Sequence, residues 1–119
     1  MSVAIVDDDE SLCRSLGRLL RQAGFRTTTF LSAEAFLAAP ERGRFACLLL
    51  DVQLGGMSGP ALHRRLLEQG DRTPVVYITA QDDASAETEA RRIGCAAFFR
   101  KSDPGSWIVD ALRGLQPGH

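Results

Sequence analysis

The sequence has few of the features that mark secreted, metal-stabilised or membrane-spanning proteins. It has three cysteines, Cys13, Cys47 and Cys95. Because their number is odd and none forms a Cys-x-x-Cys pair, the sequence indicates neither a disulfide framework nor a zinc site. No apolar stretch approaches the ~18 residues that a membrane span requires. The chain also lacks a basic segment followed by a long apolar core at its start. We therefore expect a cytoplasmic protein with buried, reduced thiols and no membrane partner.

The chain has no surplus of charge of either sign. Its 14 Lys and Arg residues nearly balance its 15 Asp and Glu residues, which gives a formal net charge of −1. This balance gives no electrostatic reason to expect direct binding of nucleic acid. With 119 residues, of which 45% are hydrophobic, residues 1–119 are expected to form a single domain with its own core.

A regular alternation of strand and helix patterns runs along the chain. Apolar and β-branched runs predict five strands, at 3–6, 25–30, 45–50, 74–79 and 96–99. Helical spacing predicts helices at 11–23, 58–69 and 83–93, a short helix between Ser32 and Pro40, and a last helix opened by Asp103 with Pro104 at its first position. This (βα)5 order predicts an α/β fold, namely a doubly wound five-stranded parallel sheet with helices on both faces.

Polar side chains follow the predicted strands at the points where they end. The first strand runs into Asp7 and Asp8, and the third ends before Asp51. The fourth strand ends at Thr79, and Lys101 follows the fifth. Because open α/β sheets bind ligands at the carboxyl ends of their strands, we expect these side chains to form one site.

The chemistry of these side chains indicates phosphoryl transfer. Three converging carboxylates would raise one another's pKa values, and a divalent cation would relieve their repulsion. Oxygen ligands on a hydrated surface suit Mg²⁺. A carboxylate nucleophile, Mg²⁺, an ammonium group and a hydroxyl group are together typical of enzymes and domains that transfer phosphoryl groups.

The chain resembles a CheY-like receiver domain of a two-component response regulator over essentially its whole length. The resemblance is carried by Asp7-Asp8, by Asp51 before a Gly-Met-Ser-Gly loop, by Thr79-Ala80 and by Lys101. It implies a flavodoxin-like strand order of 2-1-3-4-5. It also implies that a sensor histidine kinase passes a phosphoryl group to this chain, which then switches a partner or an output surface. Such a domain catalyses its own phosphorylation and dephosphorylation without being a conventional enzyme.

The resemblance assigns roles to individual residues. Asp51 would accept the phosphoryl group, and Asp51 and Asp8 would bind Mg²⁺ directly. The backbone carbonyl of Gln53 would be a third ligand, and Asp7 would act through water. Because Gln53 and Gln81 each lie two residues beyond a site residue, we also expect them to influence hydrolysis of the phosphoryl group.

Three further residues would carry the signal away from the site. Lys101 would pair with the phosphoryl group, Thr79 would move to bond it, and the rotamer of Phe98 would follow Thr79. The output surface would then comprise helix 83–93, strand 96–99 and the last helix, and a homodimer through the 83–115 surface is one candidate assembly. Trp107 on the last helix is expected to be partly exposed there.

Two departures from similar domains concern loops beside the site. Similar domains usually have a proline in a cis peptide directly after the lysine, whereas Ser102 follows Lys101 here. Because a non-proline cis bond costs ~3 kcal/mol, a trans bond is expected. Similar domains also often have Met-Pro where this chain has Leu54-Gly55, so the loop after Asp51 has more backbone freedom.

Two other functions fit these residues less well. A haloacid-dehalogenase-type phosphatase also uses a strand-end Asp, Mg²⁺, Thr and Lys, but it needs a second Asp at the position of Gln53. The second alternative is a receiver-like binding module that never accepts phosphate. The presence of the complete set of site residues argues against it. His63 lies on a predicted helix beside polar residues, so no function is expected for it.

Overall fold

The computed structural model describes residues 1–80 and 84–115. Its strands are β1 (Ser2–Val6), β2 (Arg26–Phe30), β3 (Cys47–Asp51), β4 (Val75–Thr79) and β5 (Ala97–Arg100). Its helices are α1 (Glu10–Gln22), α2 (Ala33–Ala38), α3 (Gly59–Glu68), α4 (Ala84–Ile93) and α5 (Gly105–Gly114), with a 3₁₀ turn at Arg42–Arg44. The strands are parallel and lie in the order β2-β1-β3-β4-β5, so the predicted fold and strand order are confirmed.

The sheet separates two hydrophobic clusters because side chains alternate between its faces. Val3 and Ile5 of β1 pack with α1 and α5, whereas Ala4 and Val6 pack with α2, α3 and α4. The central strands β3 and β4 are buried along their whole length, as expected for a parallel sheet covered on both faces. The helices therefore cover both faces of these strands.

Local sequence signals account for most helix ends. The side chains of Asp9, Ser32 and Ser58 accept the backbone N–H groups that cap α1, α2 and α3. Glycines with left-handed backbone follow α1, α3 and α4, as their sequence positions indicate; they are Gly24, Gly70 and Gly94.

The predicted start of the last helix is wrong. Helix α5 begins at Gly105, and Pro104 precedes it without a side-chain cap. The Asp103 carboxylate instead accepts the backbone N–H of Arg100 at 2.9 Å. Asp103 therefore stabilises the turn after β5 and does not cap α5.

Two of the three cysteines are buried, as expected, and the third is half-buried. Cys13 and Cys47 are buried, Cys95 is half-buried, and all three are free thiols. Burial, followed by the charges of Asp7 and Asp9, raises the pKa of Cys13 to about 11, so this group stays protonated at neutral pH. Within the described ranges, no helix is long and apolar enough to cross a membrane. Every peptide bond there is trans, including the bond between Lys101 and Ser102.

Candidate functional site

The ends of β1 and β3 bring three carboxylates together. Asp7 directly follows β1, Asp51 is the last residue of β3, and these strands are hydrogen-bonded neighbours. Carboxylate oxygens of Asp7, Asp8 and Asp51 all lie within 4.8 Å of one another. Asp7 and Asp51 are buried, whereas Asp8 is exposed. The cluster predicted from the strand ends is therefore present in the fold.

Lys101 lies between the two buried carboxylates. Its Nζ is 3.1 Å from Asp7 Oδ2 and 3.4 Å from Asp51 Oδ2. The pairing of β4 with β5 fixes this position, because the Lys101 backbone N–H donates to the Thr79 carbonyl at 2.7 Å. Thr79 itself is buried at the end of β4.

Backbone N–H groups hold the other oxygen of each buried carboxylate. Asp9 N donates to Asp7 Oδ1 at 2.9 Å, and Gln53 N donates to Asp51 Oδ1 at 3.2 Å. The thiol of Cys13 donates to the Asp7 carbonyl at 3.3 Å, which ties α1 to the same turn. Each carboxylate thus directs one oxygen to the backbone and the other to Lys101, so its orientation is fixed before any ligand binds.

The charges in the site perturb the ionisation of two of its groups. Burial and then the charge of Asp7 raise the pKa of Asp51 to about 6, although Lys101 and the Gln53 N–H act in the opposite direction. Burial alone would lower the pKa of Lys101, but its hydrogen bond to Asp7 and the charges of Asp51 and Asp7 raise that pKa overall. The site therefore carries more negative charge than Lys101 neutralises.

The residues present fit a small divalent cation. All the clustered donors are carboxylate oxygens, and one of the three is exposed, so water can complete the coordination. Because the oxygens of Asp7, Asp8 and Asp51 lie within 4.8 Å of one another, they could hold one such ion either directly or through water.

We predict that Asp51→Asn stabilises the protein when chelator removes metal. Because Asp51 has a raised folded-state pKa, its ionised form disfavours folding, and the wild type loses stability as pH rises from about 4 through about 6. At about pH 7.5 the variant should gain roughly 1–3 kcal/mol in the free energy of unfolding, or several degrees in melting temperature.

The gain should decrease below about pH 6 and disappear near pH 4, where Asp51 is protonated in both folded and unfolded states. Asp110→Asn, which removes an exposed carboxylate from α5, is the control and should shift the melting temperature little. A difference between wild type and Asp51→Asn that does not depend on pH would contradict this electrostatic explanation.

The loop between β3 and α3 packs tightly against Asp51. Gly59 N donates to the Val52 carbonyl at 3.0 Å, and a side chain at Gly59 would collide with the backbone of Asp51. Farther along the loop, the Met57 N–H donates to Glu34 Oε2 at 3.1 Å. Gly56 adopts a φ of 85°, and a side chain there would meet the same Glu34 carboxylate. A carboxylate of α2 therefore holds the outer part of this loop.

The remaining predicted residues lie near the site without joining its charged centre. Gln53 is exposed in the loop after Asp51. Phe98 is half-buried on β5 and pairs in register with Tyr77 of β4. Gln81 lies outside the described residues. Phe98 thus lies two residues before the end of β5, on the side of the sheet that α3 and α4 cover.

One residue for which no function was expected is buried and hydrogen-bonded. His63 is only 3% exposed, and its Nδ1 lies 2.9 Å from the Tyr77 hydroxyl. Burial, and secondarily the charge of Arg64, lowers the pKa of His63. Its position three residues before the buried Leu66 is a helical-spacing signal that could have located it on the inner face of α3.

Comparison with known proteins defines the class to which this fold and site belong. The family model of the response regulator receiver domain matches residues 3–113. The chain belongs to this family and is a receiver domain of a response regulator in two-component signalling.

Several relatives are similar along nearly the whole chain. Response regulator protein TmoT of Ectopseudomonas mendocina is 34% identical over 111 residues, which cover 93% of this chain and 50% of the relative. Transcriptional regulatory protein FixJ of Bradyrhizobium diazoefficiens is 34% identical, with 97% of this chain and 58% of the relative covered. The chain therefore spans about half the length of these curated relatives.

Solved structures of similar domains agree with the fold. The crystal structure of FixJ-N superimposes with a TM-score of 0.86 at 32% identity and covers 96% of this chain and 91% of its own. The structure of response regulator StyR has a TM-score of 0.86 at 37% identity and covers 95% of this chain and 57% of its own.

Proposed function

We propose that this receiver domain, comprising residues 1–119, accepts a phosphoryl group on Asp51 from a phosphohistidine of a sensor histidine kinase. The observation that carries the proposal is the environment of Asp51. One of its oxygens accepts the Gln53 N–H, and the other faces the ammonium of Lys101 at 3.4 Å. A buried, oriented carboxylate beside two further acids and a lysine has the groups that phosphoryl transfer requires.

The transfer is a substitution at phosphorus. An Asp51 oxygen forms a bond to phosphorus while the bond between phosphorus and the donor breaks, and the donor leaves with that electron pair. Lys101 is placed to pair with the negative oxygens of the transferred group, since it already lies within 3.4 Å of Asp51 Oδ2. Hydrolysis of the aspartyl phosphate later returns Asp51 to its carboxylate form.

The cation that suits this site is Mg²⁺. Asp8 and Asp51 would bind it directly, the Gln53 carbonyl would be a further ligand, and Asp7 would act through water. When bound, Mg²⁺ neutralises the negative charge that accumulates during phosphoryl transfer. Asp7, held by the Asp9 N–H and by Lys101, keeps its carboxylate at the edge of this site.

We predict that Asp8→Asn lowers both the affinity for Mg²⁺ and the rate of phosphorylation, each by roughly tenfold or more, because it replaces a charged ligand by a neutral one. The fold should be retained, because the Asp8 side chain makes no hydrogen bond within the described residues. Titration calorimetry measures the affinity, and acetyl phosphate labelling measures the rate.

Glu10→Gln is the matched control for Asp8→Asn. It removes one acidic charge from the first turn of α1, where Glu10 is exposed and 4.0 Å from Arg14. This control should change the affinity for Mg²⁺ by less than about twofold, because exposed charges interact weakly with one another. Equal affinities for wild type and Asp8→Asn would remove Asp8 from the ligand set.

We further propose that Thr79 and Phe98 transmit phosphorylation to the surface formed by α4, β5 and α5. Thr79 would move toward the phosphoryl group, and the Phe98 ring would follow it into the space beside β4. Helix α4 is suited to move, because Ala90 is its one buried residue. Trp107 of α5 is 53% exposed and can contact a partner, for which a second copy of this chain is one candidate.

Binding of the phosphoryl mimic beryllofluoride with Mg²⁺ should change amide hydrogen exchange in α4, β5 and the start of α5. The expected change in local opening free energy is ~1–3 kcal/mol, the usual size of coupling between two sites. Asp51→Asn should show no change under the same conditions. Protection changes confined to residues 8–60 would place the output surface elsewhere.

The biological output lies beyond the site itself. The names of FixJ and other relatives describe them as transcriptional regulators. We propose that this receiver controls an output of that kind, either within a longer chain or through a separate partner protein. No direct binding of nucleic acid by these residues is proposed, because their net charge is close to neutral.

A further inference from the structure

The hydrogen bond between His63 and Tyr77 is a buried contact between two polar side chains that the proposed phosphoryl transfer does not use. His63 is on α3 and Tyr77 is on β4, so the bond joins a helix to the sheet. The Tyr77 side chain is fully buried, and the two rings are 5.7 Å apart. A buried hydroxyl that lost this bond would cost more than the bond itself contributes, so the two side chains constrain each other.

The ring of Tyr77 lies beside the ring of Phe98. Tyr77 and Phe98 are register partners on adjacent strands, and their ring centroids are 6.1 Å apart with an interplanar angle of 31°. Because alternate residues of a strand share a face, Tyr77 and Thr79 project toward the same side of the sheet. Tyr77 therefore borders the space into which Phe98 would turn when Thr79 moves.

Helices α3 and α4 meet next to this pair. Arg64 follows His63 on α3, and its guanidinium is 3.5 Å from the Glu89 carboxylate of α4. Ala90, the next residue of α4, is packed in the same hydrophobic cluster as Tyr77. The His63–Tyr77 hydrogen bond is thus located at the junction of α3, α4 and β4. A shift of α4 would therefore change the surroundings of this bond.

We infer that His63 and Tyr77 are positioning residues for the switch: their hydrogen bond fixes the Tyr77 ring, and the fixed ring determines which rotamers of Phe98 are populated. This inference rests on the proposed role of Phe98. It adds a structural requirement to that role, namely that a contact from α3 defines the space available to the Phe98 ring.

The inference predicts the effects of removing either partner. Tyr77→Phe keeps the ring but removes the hydroxyl, so the ring is free to reorient against Phe98. His63→Leu removes the hydrogen-bond partner of the Tyr77 hydroxyl while retaining an apolar side chain of similar size. His63→Gln keeps a side-chain amide, which can accept from or donate to the Tyr77 hydroxyl, and should restore wild-type behaviour.

The experiment measures the χ1 rotamer populations of Phe98 by NMR in the protein without any phosphoryl mimic. Tyr77→Phe and His63→Leu are each expected to change the ratio of the two rotamers roughly three- to tenfold, the range that one hydrogen bond controls. The double variant should change the ratio no more than either single variant, because both remove the same bond. Ile5→Val, a core substitution on the opposite face of the sheet, is the control for general loss of packing and should leave the ratio unchanged.

The outcomes separate this inference from the proposed function. Unchanged Phe98 populations in both single variants would overturn the inference, and so would additive changes in the double variant. A second measurement adds beryllofluoride and Mg²⁺ to each protein. If the wild type fails to bind this mimic, the proposed function is wrong, while the populations in the free protein still decide the role of His63 and Tyr77.

Discussion

Asp51→Asn is expected to abolish phosphorylation by acetyl phosphate and Mg²⁺. The amide keeps the size and the buried position of the side chain, but its oxygen is a far weaker nucleophile than a carboxylate. Intact-protein mass spectrometry of the wild type should show one added phosphoryl group, and the variant should show none above background. This is the largest effect that we expect on function.

Two further samples make that experiment specific. Asp110→Asn lacks an exposed carboxylate that does not belong to the acid cluster and should be labelled like the wild type. Wild-type protein with chelator should lose labelling, because the acid cluster then has no counterion for the incoming phosphate. Retention of the label in Asp51→Asn would move the phosphoacceptor to another residue.

Gly59→Ala should cause the largest loss of stability among the substitutions considered. An added Cβ would overlap the carbonyl oxygen of Asp51 and crowd the Cα of Val52. Because these are backbone atoms, α3 would have to move away from the end of β3. We expect a loss of roughly 2–4 kcal/mol in the free energy of unfolding, measured by urea denaturation.

A loss of stability in Gly59→Ala would be informative, because helix propensity alone predicts a gain: alanine ordinarily stabilises a helix relative to glycine by ~1 kcal/mol. Gly55→Ala is the matched control: a Cβ there would have no neighbour within 4 Å, and the residue has no left-handed backbone. Its stability should stay within about 0.5 kcal/mol of the wild type. If the two alanine variants unfold at the same urea concentration, Gly59 does not limit the packing of α3.

Most of the fold could be predicted because the five strands have clear sequence patterns. Residues 45–50 and 74–78 form apolar runs that only a sheet covered on both faces would bury, and both are fully buried strands within one or two residues of the predicted bounds. The start of α5 could not be predicted reliably. An Asp before a Pro can cap a helix or accept an N–H from the preceding turn, and Asp103 bonds to Arg100.

The acid cluster was predictable for a different reason. The carboxyl ends of parallel strands meet at one edge, so Asp7 and Asp51 had to be neighbours once β1 and β3 were adjacent. Their separate hydrogen-bond partners, and the raised pKa of Asp51, depend on distances of a few tenths of an ångström that sequence patterns do not contain. The roles assigned to Lys101 and Thr79 remain predictions that the experiments above address.

The hydrogen bond of His63 could not be predicted from its neighbours in the sequence. Its neighbours Arg64 and Arg65 are exposed, whereas His63 lies on the inner face of the helix with Leu62 and Leu66. Its partner Tyr77 lies in another element, and pairing of this kind becomes visible only when the chain is folded. The buried polar pair is therefore a finding of the structure.

The contact between Glu34 and Met57 has a consequence for how long a signal persists. The loop that begins directly after Asp51 is held by a carboxylate on α2, a helix of six residues that belongs neither to the acid cluster nor to the surface of α4, β5 and α5. If Asp51 accepts a phosphoryl group as proposed, this loop would form part of the surroundings of that group. Substitutions on α2 would then change the lifetime of the aspartyl phosphate without altering a residue of the acid cluster, so lifetime and chemistry could diverge independently among related receivers.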